Sequence, residues 1–297
     1  MPNPQQRFLF IINPISGGKD KTDWETSIRE YFRDIQCEFK IYTLKGENDK
    51  PAIQSQINTF HPDRVIAVGG DGTVKLLAEI LMGSHMALGI LPAGSANGMA
   101  KELDIPVEMD KSLDIIVNGK IKKIDLININ EEVCMHLGDI GLNAMVVKNF
   151  ERSDGRGMWG YFKALVGVLW NKRKMFASIE TDSGDIQRNA YMIAIANARK
   201  YGTGANINPD GSIEDGQFEV VVVRRLSLKE IIKAIFTNRS FHPKKIEIHS
   251  TKSVKLLLRK QAHFQVDGEY RGKITRVEAQ VLPSVINVMV PKNPKRA

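Results

Sequence analysis

Apolar residues fall in short unbroken runs over the first 125 positions and in alternating or longer runs after that. Residues 8–12 (F-L-F-I-I) read as a buried strand, ended by the turn-rich loop Asn13-Pro14-Ile15-Ser16-Gly17-Gly18. Residues 20–35 set Trp24, Ile28, Tyr31, Phe32 and Ile35 near one face, which predicts a helix. The same patterns give strands at 39–43, 64–68 and 88–91 and helices at 51–60, 73–82, 96–103 and 110–119. Alternating strands and helices with short connections predict a parallel sheet covered on both faces. Ligands of such sheets lie at the carboxyl ends of the strands. Three loops stand there, at 13–18, 69–73 and 92–97.

From residue 121 the rhythm changes. Strand patterns at 121–129, 133–137, 176–181, 186–196 and 218–223, and several between 245 and 290, are separated by turns such as Asp182-Ser183-Gly184-Asp185 and Asp267-Gly268. Helical stretches at 158–171 and 228–238 interrupt them. The expected class is α/β plus mainly β. An N-terminal Rossmann-like parallel-sheet domain covers 1–125 and is completed by 283–297; a largely antiparallel domain covers 126–282.

Composition narrows the setting. No apolar run approaches the roughly 20 residues that span a bilayer, and residues 1–7 carry no cleavage pattern. Cys37 and Cys134 are far apart and form no ligand pair, which favours free thiols in a reducing compartment. A cytoplasmic protein is expected. The net charge of +8 gathers at Lys172-Arg173-Lys174, Arg224-Arg225, Lys244-Lys245 and 292–296, and would draw nucleotide phosphates or anionic lipid. With no aromatic-and-basic motif, no nucleic-acid partner is expected.

The chemistry centres on Gly69-Gly70-Asp71-Gly72-Thr73. A strand that stops at two glycines lets backbone N–H groups approach a phosphate with no Cβ in the way. Asp71 can bear on a magnesium ion or a transferred proton, and Thr73 opens the next helix. Other motifs fall away. Residues 155–160 spell G-x-G-x-x-G but follow a polar, charged segment where a buried strand is required. Gly17-Gly18-Lys19 lacks the spacing of a Walker loop, no G-x-S-x-G elbow exists, and the six histidines show no metal-ligand spacing.

Taken in order, the Asn13 loop, G-G-D-G-T, Pro92-Ala93-Gly94-Ser95-Ala96-Asn97, P-D-G-S-I-E-D-G-Q-F at 209–218 and Asp267-Gly268-Glu269 make the chain resemble the diacylglycerol kinase catalytic family, which includes bacterial soluble lipid kinases and sphingosine kinases. The resemblance spans nearly the whole chain. G-G-D-G-T alone is shared with NAD kinases; P-A-G-S-A-N and D-G-E set this family apart. The resemblance implies a C-terminal antiparallel β-sandwich domain, an active site in the cleft between the domains, and ATP-dependent phosphorylation of a lipid hydroxyl. By position it places the nucleotide on Asn13, Pro14, Ser16, Gly17, Thr43, Gly69, Gly70, Asp71, Gly72, Thr73, Gly94, Ser95 and Asn97. It gives Asp71 the catalytic Mg2+, links Asp125 to that ion through water, and puts a second Mg2+ on Ser212, Asp215 and Gln217. Asp267 and Glu269 become the catalytic carboxylates, one of them the base. The chain departs from the family at Gly98, where many members carry Asp, and at Lys75-Leu76, where a polar pair is common. Those departures motivate a second reading, a nucleotide- and lipid-binding regulatory protein with little catalysis; NAD kinase is a third. The implied partners are a lipid substrate and, through the apolar, aromatic stretch 158–170 closed by three cations, the surface of an anionic membrane. A homodimer is left open.

Overall fold

The computed structural model describes residues 6–18, 22–151, 174–199, 208–209, 211–225 and 241–293. The predicted helices at 158–171 and 228–238, the G-x-G-x-x-G at 155–160 and the cations at 172–173 lie outside them. The chain divides into two compact units, Met1–Ile124 with Ser284–Ala297, and Asp125–Pro283.

In the first unit β1 (Arg7–Ile12) lies between β2 (Glu38–Thr43) and β3 (Arg64–Gly69), and β4 (Ala87–Pro92) follows β3, all parallel. Asn287 and Val288, near the end of β14 (Glu269–Val290), add parallel to β4. Side chains alternate across a strand. Phe8, Phe10 and Ile12 pack with Ile28, Phe32, Leu113 and Ile116 beside α1 (Thr22–Tyr31) and α5 (Met109–Asn118). Leu9, Ile11, Val65 and Ala67 on the other pleat are also fully buried, and α2 (Asp49–Phe60) packs on β1 and α3 (Asp71–Leu81) on β3. Burial on both faces is why these strands read as unbroken apolar runs. The Phe32 ring meets Phe8, Phe10 and Phe39 at centroid distances of 5.3, 5.5 and 5.3 Å. Burying one such ring contributes about 1.5–3 kcal/mol. Helix starts differ from the sequence pattern. Helices α2 and α3 begin two residues early, at Asp49 and Asp71, and α4 (Gly98–Glu102) begins only after Asn97, whose φ of 51° is left-handed.

The second unit contains β5 from Asp125 on (Lys120–Ile129 in full), β6 (Glu132–Cys134), β7 (Leu137–Gly141), α6 (Leu142–Glu151), β8 (Met175–Thr181), β9 (Gly184–Ala190), β10 (Met192–Ala196), β11 (Phe218–Val223), β12 (Ile246–Thr251), β13 (Ser253–Val266) and the first part of β14. Strands β12, β11, β10, β7, β13 and β14 are neighbours in that order, antiparallel throughout, and the β8–β9 hairpin also pairs with β13. Their inward residues, among them Ile140, Ile195, Phe218, Val220, Leu256 and Phe264, make one core. The single strand predicted over 133–137 breaks at Met135 and His136, and that predicted over 186–196 breaks at Tyr191. In the second case the halves have different partners: β9 pairs with β8, β10 with β7 and β11. Helix α6 was not predicted; it follows Gly141, whose φ of +105° turns the chain out of β7.

Candidate functional site

Three loops at the carboxyl ends of β1, β3 and β4 meet in the first unit. Asn13 N–H donates to the Val68 carbonyl at 3.0 Å, and Asn13 Nδ2 donates to Thr73 Oγ1 at 3.1 Å. Ala93 N–H donates to the Gly69 carbonyl at 2.8 Å. Asn97 closes the third loop on itself: its Oδ1 accepts Gly94 N–H and its Nδ2 donates to the Gly94 carbonyl, both at 2.9 Å. The left-handed backbone of Asn97 is what brings its side chain back over Gly94.

Glycine is required at two of these positions. A Cβ on Gly17, at φ +65°, would run into the Ala93 carbonyl oxygen, and one on Gly94 would run into the Gly70 Cα. The loops therefore touch backbone to backbone, with no room for a Cβ between them. Asp71 accepts N–H bonds from Gly98 at 2.9 Å and Met99 at 3.1 Å, so it ties the first turn of α3 to that of α4. Of the expected nucleotide residues, Asn13, Gly17, Gly69, Gly70, Asp71, Thr73, Gly94 and Asn97 come together by these contacts. Pro14, Ser16, Gly72 and Ser95 complete the same loops, with Pro14, Gly72 and Ser95 exposed. Thr43 stands exposed at the end of β2, in register with Ile12.

The donor set at Asp71 suits magnesium in one specific way. A carboxylate has about four lone-pair sites, and magnesium is commonly held by one or two carboxylates together with substrate phosphates. Among the described residues no three His, Cys, Asp or Glu side chains converge as a metal cage.

The second unit holds the remaining expected residues in a different kind of arrangement. Asp267, at φ +49°, and Gly268 make the turn between β13 and β14. The Asp267 carboxylate accepts N–H bonds from Met135 at 3.0 Å, His136 at 2.9 Å and Leu137 at 3.3 Å, and faces the Cys134 thiol at 3.4 Å. Those N–H groups serve the carboxylate where a straight strand would spend them on a ladder, which is the physical reason the predicted strand 133–137 breaks. Asn197 holds the same segment from its carbonyl side. Its Nδ2 donates to the Met135 carbonyl at 2.9 Å and to the Asp125 carbonyl at 2.8 Å, and its N–H donates to the His136 carbonyl at 2.8 Å. Asp125 is fully buried; its Oδ2 accepts Gly216 N–H at 2.7 Å and its N–H donates to the Ile213 carbonyl at 2.7 Å. Ser212, Asp215 and Gln217 share that short loop, where Asp215 Oδ1 accepts Gln217 N–H at 3.0 Å. Asp125, the 212–217 loop and Asp267 are thus parts of one network. Glu269 is not. It pairs with Arg271, which also grips Glu132 at 2.7 Å, and its side chain is 56% exposed. Hydrogen bonds from Arg271 to Glu132 and then to Glu269 push the guanidinium pKa further up.

Four residues absent from the sequence reading build this network. Gln265 Oε1 accepts Gly268 N–H at 2.7 Å, and Gln265 Nε2 donates to Asp139. Asp139 is fully buried and also accepts Asn143 Nδ2 and, at 2.8 Å, Ala144 N–H. Burial pushes its carboxyl up to about 6, against the pull of those three bonds. Asn197 is the fourth. Asp139 is a lone polar residue in an apolar strand run, Asn197 stands directly after one and Gln265 sits between Phe264 and Val266, and that was their signal, since a buried polar group must be bonded.

Comparison with known proteins accords with both parts. The model of the diacylglycerol kinase catalytic domain matches residues 7–129, and that of the YegS C-terminal NAD kinase beta sandwich-like domain matches residues 139–290. The chain belongs to this diacylglycerol kinase and YegS-type lipid kinase family. The diacylglycerol kinase of Bacillus subtilis strain 168 is 26% identical over 297 residues, covering 97% of both chains. A Yersinia enterocolitica protein named "Probable lipid kinase YegS-like" is 29% identical, covering 96% of this chain and 97% of its own. Among solved structures, a Bacillus anthracis strain Sterne protein provisionally described as a diacylglycerol kinase superposes with a TM-score of 0.85 at 20% identity over 100% of both chains. An Archaeoglobus fulgidus NAD kinase in complex with ATP does so with a TM-score of 0.50 at 10% identity, over 98% of this chain and 94% of its own. The fold is that of these kinases: parallel N-terminal strands and antiparallel C-terminal ones.

Proposed function

We propose that this chain is an ATP- and magnesium-dependent lipid kinase that phosphorylates the hydroxyl of a diacylglycerol-like lipid alcohol. The observation that carries the proposal is the backbone-to-backbone meeting of the Gly17, Gly70 and Gly94 loops. Phosphoryl transfer asks mainly for positioning and charge stabilisation, and glycine backbone at strand ends lets a phosphate approach main-chain N–H groups with no Cβ in the way. Asn13, Thr73, Ser16, Ser95 and Thr43 supply side-chain donors around it. Asp71 would hold Mg2+, and the ion would neutralise phosphate charge. In the reaction the lipid oxygen bonds to the γ-phosphorus as the bond to the ADP oxygen breaks, and the hydroxyl proton passes to a carboxylate. Asp267 and Glu269 are the proposed carboxylates. Glu269 is the freer to move; Asp267 is held by three N–H groups, and its role is to fix the charge and the turn. Asp125 and Asp215 with its loop are assigned to metal-linked support.

The names of the relatives supply the lipid. The test is transfer of radioactive γ-phosphate from ATP to a panel of lipid alcohols and to NAD. Transfer to at least one lipid should fall about a hundredfold or more in Asp71→Ala and strongly in Asp267→Asn. Equal, background-level counts in all three proteins would end the proposal. Binding of ATP and lipid without transfer would establish the regulatory reading instead, which the departures at Gly98 and Lys75-Leu76 motivate. Transfer to NAD alone would make the chain an NAD kinase.

A further inference from the structure

The sheet of the second unit has a gap along one edge of β13. Strand β8 pairs with β13 over Val254 to Leu258, and β7 pairs with it only from Phe264 to Val266. Between them neither strand is in register with residues 259–263. On the other edge the β13–β14 ladder is irregular at the same place. Leu257 faces Arg276 and Ala262 faces Ile274, so residues 258–261 stand opposite Thr275 alone. A bulge of this kind re-aims side chains. Here it turns Arg259 and Lys260 toward a cavity of about 870 Å3 that the gap leaves open.

The walls of that cavity sort by chemistry. Arg259, Lys260, Lys174, Lys273 and His263 reach it, while the described lining contains no Asp or Glu. Lys174 is steadied by the Tyr191 ring, with Nζ 5.2 Å from its centroid, and His263 Nδ1 lies 2.7 Å from Tyr270 Oη. The remaining lining is largely apolar: Leu142, Met145, Met175, Phe176 and Ala262, with Phe176 37% exposed. Arg259, Lys260, Lys174 and Lys273, with no carboxylate in the described lining, repel one another, and an anion among them relieves that; the exposed apolar ring beside them favours something oily attached to that anion.

We propose that this gap binds one anionic lipid, its phosphate head held by Arg259, Lys260, Lys174 and Lys273 and its chain lying on Phe176, Met175, Leu142 and Met145. Arginine grips phosphate by two parallel bonds, lysine as a point charge. The site uses none of the residues assigned to phosphoryl transfer, so it stands or falls separately from the kinase reading.

The experiment is calorimetric titration of the full chain, without nucleotide, with dihexanoyl phosphatidic acid below its micelle concentration. Inorganic phosphate and dihexanoylglycerol are titrated in parallel. Saturable one-site binding of the phosphatidic acid is expected. It should weaken roughly tenfold or more in Arg259→Ser/Lys260→Ser, from lost charge-assisted bonds, and several-fold in Phe176→Ser. Both bulge residues are exposed, so the double variant should keep its melting temperature. Asp71→Ala should bind as the parent does, even where transfer is lost. Phosphate alone binding as tightly as the lipid would overturn the amphiphile, and dihexanoylglycerol binding as tightly would overturn the anion. No saturable binding, or equal binding by a folded double variant, would overturn the site itself.

Discussion

The two units solve the same problem, holding a polar site open, with opposite materials. In the first, the site is backbone: glycines at the ends of three parallel strands, with Asn13 and Asn97 as local clasps. In the second it is side chain. Asp139, Gln265, Asn197 and Asp125 are buried; Asn197 and Asp125 bond peptide groups far away in sequence, and the Gln265 and Asp139 side chains bond each other. A backbone site depends on small residues staying small. A buried polar network depends on each partner staying in place, because an orphaned group loses its hydration for nothing.

That contrast can be broken first at Gly94. In Gly94→Ala the new methyl meets the Gly70 Cα, backbone that cannot swing aside. Transfer and ATP binding should fall by about a hundredfold or more, read by the radiolabel assay and by ATP titration, with the second unit unaffected. Next comes Asp139, whose effect is one of pH. Its folded carboxyl is raised to about 6 from an ordinary value near 3.8. Below about pH 4 the group is protonated in both states and costs nothing. As pH rises to about 6 the unfolded chain releases the proton first, and the folded state loses about 3 kcal/mol relative to it. Asp139→Asn should remove that decline, so urea unfolding of parent and variant should diverge between pH 4 and pH 7 in the variant's favour. A parallel pair of curves would show that Asp139 does not titrate there. Asn197→Ala, which leaves the Asp125 and Met135 carbonyls without their donor, should cost about 1–3 kcal/mol. Hydrogen exchange should show the loss around 134–137, not around Gly70. The smallest effect is expected at Asn13→Ala, about 1 kcal/mol from the bond to Thr73, visible as a modest fall in melting temperature.

How much was legible follows from the same contrast. The parallel sheet and its three loops were readable because their causes are local: a strand run, then Gly-Gly-Asp-Gly, then a helix start. The errors were at ends, where Asn97 adopts a left-handed backbone and delays α4 by two residues. The second unit was readable as antiparallel but not in detail. The break at Met135-His136 is imposed by Asp267, more than 130 residues away, and no property of residues 133–137 announces it. The same holds for Tyr191, where one apolar run serves two sets of neighbours. Asp139, Gln265 and Asn197 announced only that something polar was buried; which groups they met depended on register.

One consequence of β14 concerns synthesis. Its last residues supply the parallel neighbour of β4, yet the rest of the first unit's strand segments are made by residue 124. At about 5–20 residues per second the ribosome needs roughly 8 to 30 s to travel from there to Val288. For that interval β4 presents an unpaired edge, the kind that recruits foreign strands. Of the two units, the one translated earlier is therefore the one completed later.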